Sequence, residues 1–426
     1  MLLVAIVFIV FLFLGMPVAF AIGISGFLFF LQHLELPITI PIQVTISQTQ
    51  NFALLAVPMF IFAGNLLNKA GITQRLMDLA SVLTGHLRGG LAQISAVLST
   101  LMGGVSGSCI ADAAMECRML GPEMVKRGYS RGFAVTVNVW TSLIVPTIPP
   151  GIGLILYGTV GQVSIGRLFA GGILPGLLLM FLFMITISYA AKKRGYLPER
   201  EHRASFREIT KATSRSIWAI LFPFLLLFGL RFGIFTPSEV GSFAVIYGLG
   251  VGLFAYRELS LKKLGEVLND TITDVGAVMY LIALSGIFGY GIVFDRIPEV
   301  IANSLLGLSS NPFVLIFVIV LFLIIAGMFV DGSVLILMLT PILLPVARQV
   351  GFDPVHFGLI FVLTVTLGNM TPPVGSAMYA GCAVLDTPIE EYIHESGLFF
   401  VAAVIAIALL IFLPQIVLFL PNLLFG

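Results

Sequence analysis

Gly103-Gly104-Val105-Ser106-Gly107-Ser108-Cys109-Ile110-Ala111-Asp112 is the stretch whose reading decides the fold. It lies between apolar runs of membrane grade, yet it carries glycines at 103, 104 and 107, serines at 106 and 108, and an acid at 112. Glycine tolerates backbone turns that other residues resist. Irregular backbone at membrane depth survives only where it is buried in protein or lines a watery cavity. The stretch therefore reads as the tip of a re-entrant hairpin that coordinates an ion or a substrate.

Composition sets the surroundings of that tip. Hydrophobic residues make up 58% of the chain and charged residues 10%. Soluble domains are about 25% charged, so this is a polytopic helical membrane protein. Its 426 residues allow ten or more spans of about 20 residues each. A net charge of +1 gives no footing for nucleic acid. Cys109, Cys117 and Cys382 are too few for a disulfide framework and lack metal-site spacing. Met1–Leu14 is apolar without a basic leader, which reads as a retained helix.

Several apolar runs are too short to span. The runs 91–103 and 108–124 flank the Gly/Ser stretch, and 312–328 and 332–346 flank Gly327-Met328-Phe329-Val330-Asp331-Gly332. Each pair reads as a hairpin that enters and leaves on one side. The segment 191–215 is soluble in character, with eight basic residues against three acids. Short loops rich in Lys and Arg stay cytoplasmic. Counting crossings from that anchor places 18 of the 22 Lys and Arg residues inside, and leaves Arg167, Arg231, Arg296 and Arg348 outside with both termini.

An offset of 223 residues aligns two halves. Gly104 falls on Gly327, Gly128-Tyr129 on Gly351-Phe352, Thr141 on Thr364, and Pro149-Pro150 on Pro372-Pro373. The expected architecture is all-α, an inverted-topology repeat with two re-entrant hairpins and two broken helices. Its first half is 1–190, with hairpin 1 at about 91–124 and a broken helix at about 133–158. The basic linker 191–215 follows, then the second half 216–426, with hairpin 2 at about 312–346 and a broken helix at about 357–381. Inverted repeats mark secondary transporters, whose sites lie at midplane where matching Gly/Pro interruptions meet. Here the breaks are Val145-Pro146-Thr147-Ile148-Pro149-Pro150-Gly151 and Gly368-Asn369-Met370-Thr371-Pro372-Pro373-Val374-Gly375. Proline removes a donor and frees the carbonyl four residues back. Freed carbonyls and Ser/Thr hydroxyls make a hard-oxygen cage suited to Na⁺. Helix N-termini at the break can face an anion. No nucleotide-binding motif occurs, so an ion gradient is the expected energy source.

Further stretches share a pattern with a known family. They include Val57-Pro58-Met59-Phe60 with Ala63-Gly64-Asn65, Gly85-His86-Leu87-Arg88-Gly89-Gly90, and Ser106-Gly107-Ser108 with Ala111-Asp112-Ala113-Ala114. The second half adds Pro341-Ile342-Leu343-Leu344-Pro345, Asp353-Pro354-Val355-His356-Phe357-Gly358 and Thr371-Pro372-Pro373-Val374-Gly375. Over nearly its whole length the chain resembles the large membrane subunit of the tripartite ATP-independent periplasmic (TRAP) transporters. That resemblance implies an elevator-type, Na⁺-coupled importer in a bacterial inner membrane. It implies a small four-helix membrane subunit as partner. It also implies a periplasmic binding protein that delivers an organic acid such as sialic acid, a C4-dicarboxylate or another sugar acid. One Na⁺ site would fall on Ser106, Ser108, Val145 and Thr147, the other on Gly327, Val330, Gly368 and Thr371. The substrate would sit between the tips, near Gly107, Asp112, Pro149, Pro150, Asp331, Asn369, Pro372 and Pro373. Cys109 and Met115-Glu116-Cys117 depart from the smaller or apolar residues common in the family, and Asn369-Met370 precedes the second Thr-Pro-Pro.

Competing readings remain at this stage. Asp112 and Asp331 are acids at membrane depth, either helix N-caps or ligands. Asn65 and Asn138 read as interhelical hydrogen bonders. Gly104-Val105-Ser106-Gly107 has the form seen around an intramembrane serine nucleophile, but no histidine lies mid-span to activate it. Gly-rich re-entrant loops also build channels. A stand-alone Na⁺/dicarboxylate symporter is the nearer alternative.

Overall fold

Capped ends turn the apolar runs into helices. Ser205 and Glu208 form a reciprocal capping box at the head of Phe206–Arg231, and Thr236 with Glu239 does so at Pro237–Gly250. Each box satisfies N–H groups that a helix start leaves unpaired. Ser108, Ser130 and Ser164 cap three more helices through their hydroxyls. The computed structural model describes the backbone of residues 1–50, 52–308 and 311–426. Among the described residues there is no strand.

Among the described residues, seven helices are long and apolar enough to cross a membrane, including Ile165–Arg194, Phe206–Arg231, Leu261–Phe294 and Ile389–Phe412. Phe13, Phe181, Phe224, Phe254 and Phe317 are each more than half exposed. Lipid tails or a membrane partner would cover such an apolar rim. The chain is a multi-pass membrane protein.

The basic segment is shorter as a loop than its composition implies. The helix Ile165–Arg194 runs through Lys192 and Lys193, and the next begins at Phe206, so only 195–205 is non-helical. Basic side chains in a last turn complement the free carbonyls and the helix dipole. Gly195, at φ 74°, then ends the helix in the left-handed conformation.

Hairpin 1 has arms Gly90–Gly103 and Cys109–Met119, followed by the short helix Gly121–Lys126. Hairpin 2 has arms Pro312–Phe329 and Gly332–Gln349. The first broken helix consists of Arg131–Thr141 and Ile152–Val160, the second of Pro354–Gly368 and Ser376–Val384.

The halves interlock by exchange. Cys109–Met119 packs on Ser376–Val384, and its counterpart Gly332–Gln349 packs on Ile152–Val160. The outer helices repeat the pattern: Val18–Gln32 packs on Leu261–Phe294, and Ala56–Lys69 on Pro237–Gly250. Each contact maps onto its twin under the 223-residue offset. Tyr157 locks the join by donating to the Pro354 carbonyl at 2.8 Å.

Candidate transport site at the helix breaks

Hairpin 1 ends against the first break. Gly107 turns with φ 65°, and a Cβ there would lie 2.5 Å from the Pro150 carbonyl oxygen. Only glycine fits both the turn and the approach. A Cβ on Gly103 would stand 3.3 Å from the Val145 carbonyl oxygen. The tip also leans on Gly64, whose Cβ position is 3.1 Å from the Val105 oxygen, and on Pro223, 3.0 Å from that of Gly104. The Ala63-Gly64-Asn65 stretch thus makes room for the tip. Asn65 donates to Thr271 and Asp274 across helices, as its interhelical reading requires. Asn138 bonds both ways: its amide donates to the Ala134 carbonyl within its own helix and to Met124 Sδ of the neighbouring helix Gly121–Lys126 at 3.8 Å.

Hairpin 2 meets the second break the same way. The backbones of Gly327 and Gly368 touch, and a Cβ on Gly327 would be 2.7 Å from the Val365 oxygen. Val374 donates its N–H to the Met328 carbonyl at 3.2 Å. Both Pro-Pro bonds, Pro149-Pro150 and Pro372-Pro373, are cis.

The breaks expose backbone oxygen. Among the described residues, the carbonyls of Val145 through Pro150 accept no hydrogen bond, nor do those of Thr371, Pro372 and Pro373. Buried carbonyls are usually paired, which makes the fully buried run at the first break unusual, whereas at the second break Pro372 is half-buried and Pro373 exposed. The tips add to them: the carbonyls of Gly103 through Gly107, and of Gly327, Phe329 and Val330, are likewise free of hydrogen bonds. The Ser106 hydroxyl is buried with no partner.

Other candidates have local duties. Ser108 caps the second arm, accepting from Ala111 at 3.4 Å. Thr147 donates to Ile144 at 2.5 Å, and its carbonyl abuts Gly172. Thr371 donates to Gly368 at 2.9 Å. Asp331 accepts from Ser333 at 2.9 Å and is an N-cap. Asp112 caps nothing: it is 1% exposed, and neither carboxylate oxygen has a hydrogen-bond partner. The Asn369 carbonyl accepts from Ala377 and Met378 and heads the second half-helix. Its amide reaches Cys109 of hairpin 1 at 3.8 Å, so Asn369 stands where the two halves meet. Pro149 and Pro150 are buried, whereas Pro373 and Val374 are exposed, which leaves the second break the more open.

Two further residues show their contacts only in the structure. His356 lies in the first turn of a helix yet is buried, bonded through Nε2 to the Leu410 carbonyl at 2.7 Å. Glu116, noted above only as a family departure, is fully buried within hairpin 1 and holds three hydroxyls, from Ser95, Ser99 and Thr141. A signal was there: Ser95 and Ser99, like Asp112 and Glu116, are spaced i,i+4 and share a helix face.

Two hairpin tips pressed on two helix breaks, inside a shell of spanning helices, define a polytopic helical membrane transporter. The solved YdaH transporter of Alcanivorax borkumensis has the same fold, with a TM-score of 0.62 at 13% identity over 89% of this chain and 88% of that one. The family model for the tripartite ATP-independent periplasmic transporter, DctM component, matches residues 5–416, and the chain belongs to that family. It is 35% identical over 417 residues to the sialic acid TRAP transporter large permease protein SiaM of Vibrio cholerae, covering 97% of each. It is 34% identical over 421 residues to the ectoine/5-hydroxyectoine TRAP transporter large permease protein UehC of Ruegeria pomeroyi, covering 98% of each. Members of the family are transporter permeases and not enzymes. The serine-nucleophile reading also lacks a base, since nothing hydrogen-bonds the Ser106 hydroxyl.

Proposed function

We propose that the chain imports an organic acid anion together with Na⁺, by sliding the hairpins and broken helices as one body against the outer helices. It takes the anion from a periplasmic binding protein and works with a small four-helix membrane subunit. It sits in the bacterial inner membrane with the 191–215 segment facing the cytoplasm. The observation that carries this reading is the matched pair of free carbonyl clusters, each closed by a hairpin tip.

Hard oxygen at both breaks suits a hard monovalent cation. At the first break the ligand set is Ser106, Ser108, Val145 and Thr147, with the unpartnered Ser106 hydroxyl as its least committed oxygen. At the second it is Gly327, Val330, Gly368 and Thr371. The cations hold each tip against its break and bring positive charge beside the half-helix N-termini at Ile152 and Ser376. Those N-termini then favour an anion between the tips, near Gly107, Asp331, Asn369 and the two Pro-Pro pairs, whereas Asp112, 1% exposed, lies buried inside hairpin 1 and outside that set.

Overall identity does not choose the cargo, because relatives named for sialic acid and for ectoine are about equally similar to this chain. Sialic acid and succinate are the first acids to test. The experiment reconstitutes the chain with its small subunit in proteoliposomes, under an imposed Na⁺ gradient, with and without the binding protein. Uptake that needs both supports the reading. Uptake without the binding protein moves the chain to the stand-alone symporters, and uptake indifferent to Na⁺ overturns the coupling.

A further inference from the structure

Ser95, Ser99, Asp112, Glu116 and Thr141 converge inside hairpin 1, away from the tips. All five are at most 1% exposed. Ser95 and Ser99 donate to the two Glu116 oxygens at 2.5 and 2.8 Å, and Thr141 lies 3.3 Å from the first of these and 2.8 Å from the Ser95 hydroxyl. Asp112, one helical turn before Glu116, faces the Ser99 hydroxyl without reaching hydrogen-bond geometry. Two carboxylates thus share a buried pocket, and neither Asp112 oxygen has a hydrogen-bond partner there.

No positive side chain answers them. Neither acid forms a salt bridge among the described residues. The facing arm Gly90–Gly103 and the half-helix Ser376–Val384 carry no charge at all. Arg131 sits at the far start of its helix, and Arg118 on the exposed side of its own. A buried ion costs several kcal/mol even after relaxation, and neighbouring like charges raise that cost.

The fold does not require this arrangement. At the 223-residue offset, Ser95, Ser99, Asp112 and Glu116 correspond to Val318, Phe322, Leu335 and Leu339, and only Thr141 finds a like residue, Thr364. Hairpin 2 builds the same two arms with apolar side chains. The acids of hairpin 1 therefore answer a need other than packing. Carboxylate and hydroxyl oxygens are hard ligands for a hard cation, and a hydroxyl can rotate its hydrogen away to offer a lone pair.

We propose that Asp112 and Glu116, with Ser95, Ser99 and Thr141, form an additional Na⁺ site of hairpin 1, occupied during transport and separate from the sites at the tips. It rests on the Na⁺-coupled reading above. Its occupant neutralises charge that hairpin 1 otherwise carries through the membrane interior.

The test measures ²²Na⁺ and labelled substrate uptake together in proteoliposomes, for the native complex, Glu116→Gln and Asp112→Leu/Glu116→Leu. The double variant installs the residues that hairpin 2 already tolerates. The expected result is one fewer Na⁺ per anion in both variants. For yield-limited protein, Ser95→Ala keeps both acids, and its half-saturating Na⁺ should rise by about fivefold or more, as the loss of a hydrogen bond to a charged group implies. An unchanged Na⁺-to-anion ratio and unchanged Na⁺ requirement overturn the site. An altered pH dependence with the Na⁺ ratio intact overturns it too, in favour of a proton. If the native complex shows no Na⁺-driven uptake, the coupling reading itself falls, which separates the two failures.

Discussion

Gly327 and Gly368 meet backbone to backbone, and this contact closes the second tip on its break. A methyl group at either position has no room. Gly327→Ala should lower stability by about 1–3 kcal/mol through overpacking and cut uptake at least as steeply as folding. Thermal unfolding and initial uptake rates measured on the same preparation check this, and wild-type uptake in the variant would show that the closure is dispensable. Thr371→Val keeps the shape of its side chain but removes the hydroxyl that donates to Gly368. We expect a rise in the Na⁺ concentration needed for half-maximal uptake; unchanged Na⁺ affinity would remove Thr371 from the ligand set.

At the second break a neighbour satisfies part of what the interrupted helix exposes. Tyr392, fully buried on Ile389–Phe412, donates to the Met370 carbonyl at 2.6 Å and braces the second break. Tyr392→Phe leaves that carbonyl without its donor, at an expected cost of about 1–3 kcal/mol. A fall in thermal stability of the detergent-solubilised protein would register it. The Arg194–Glu395 pair behaves otherwise: it joins the end of Ile165–Arg194 to Ile389–Phe412 at a partly solvated surface. Arg194→Ala should cost no more than about 1 kcal/mol, and a larger loss of stability would mean the pair does more than tie two helix ends.

Hairpin 1 touches the outer helix Phe206–Arg231 at Gly104 and Pro223, the contact across which the proposed sliding would run. The Cβ position of Gly104 is 3.5 Å from the Pro223 Cβ, within the range a disulfide spans. A Gly104→Cys/Pro223→Cys pair should cross-link under oxidation, stop uptake, and recover it on reduction. Full uptake in the cross-linked state would refute sliding of the hairpin body along that helix. Single-cysteine variants control for the native Cys109, Cys117 and Cys382, all buried.

Much of this molecule is written locally along the chain. Apolar run length, the 223-residue offset, the Gly/Ser tips and the Pro-Pro breaks all act through the backbone of the segment that carries them, so each is legible in order. Helix ends are nearly so: Asp331 heading hairpin 2's second arm is a matter of neighbouring N–H groups. Side chains that meet across segments are another matter. Asn369 reaches Cys109 over 260 positions, and the three hydroxyls around Glu116 come from other helices. In the sequence Asp112 reads as a cap or a ligand, and Glu116 only as a variation on a hairpin arm. Only packing revealed one acid wrapped in hydroxyls and the other left bare. The hydrophobic pattern says which face turns inward, but which oxygen then faces which hydrogen depends on how the two halves interlock, and that is decided in three dimensions.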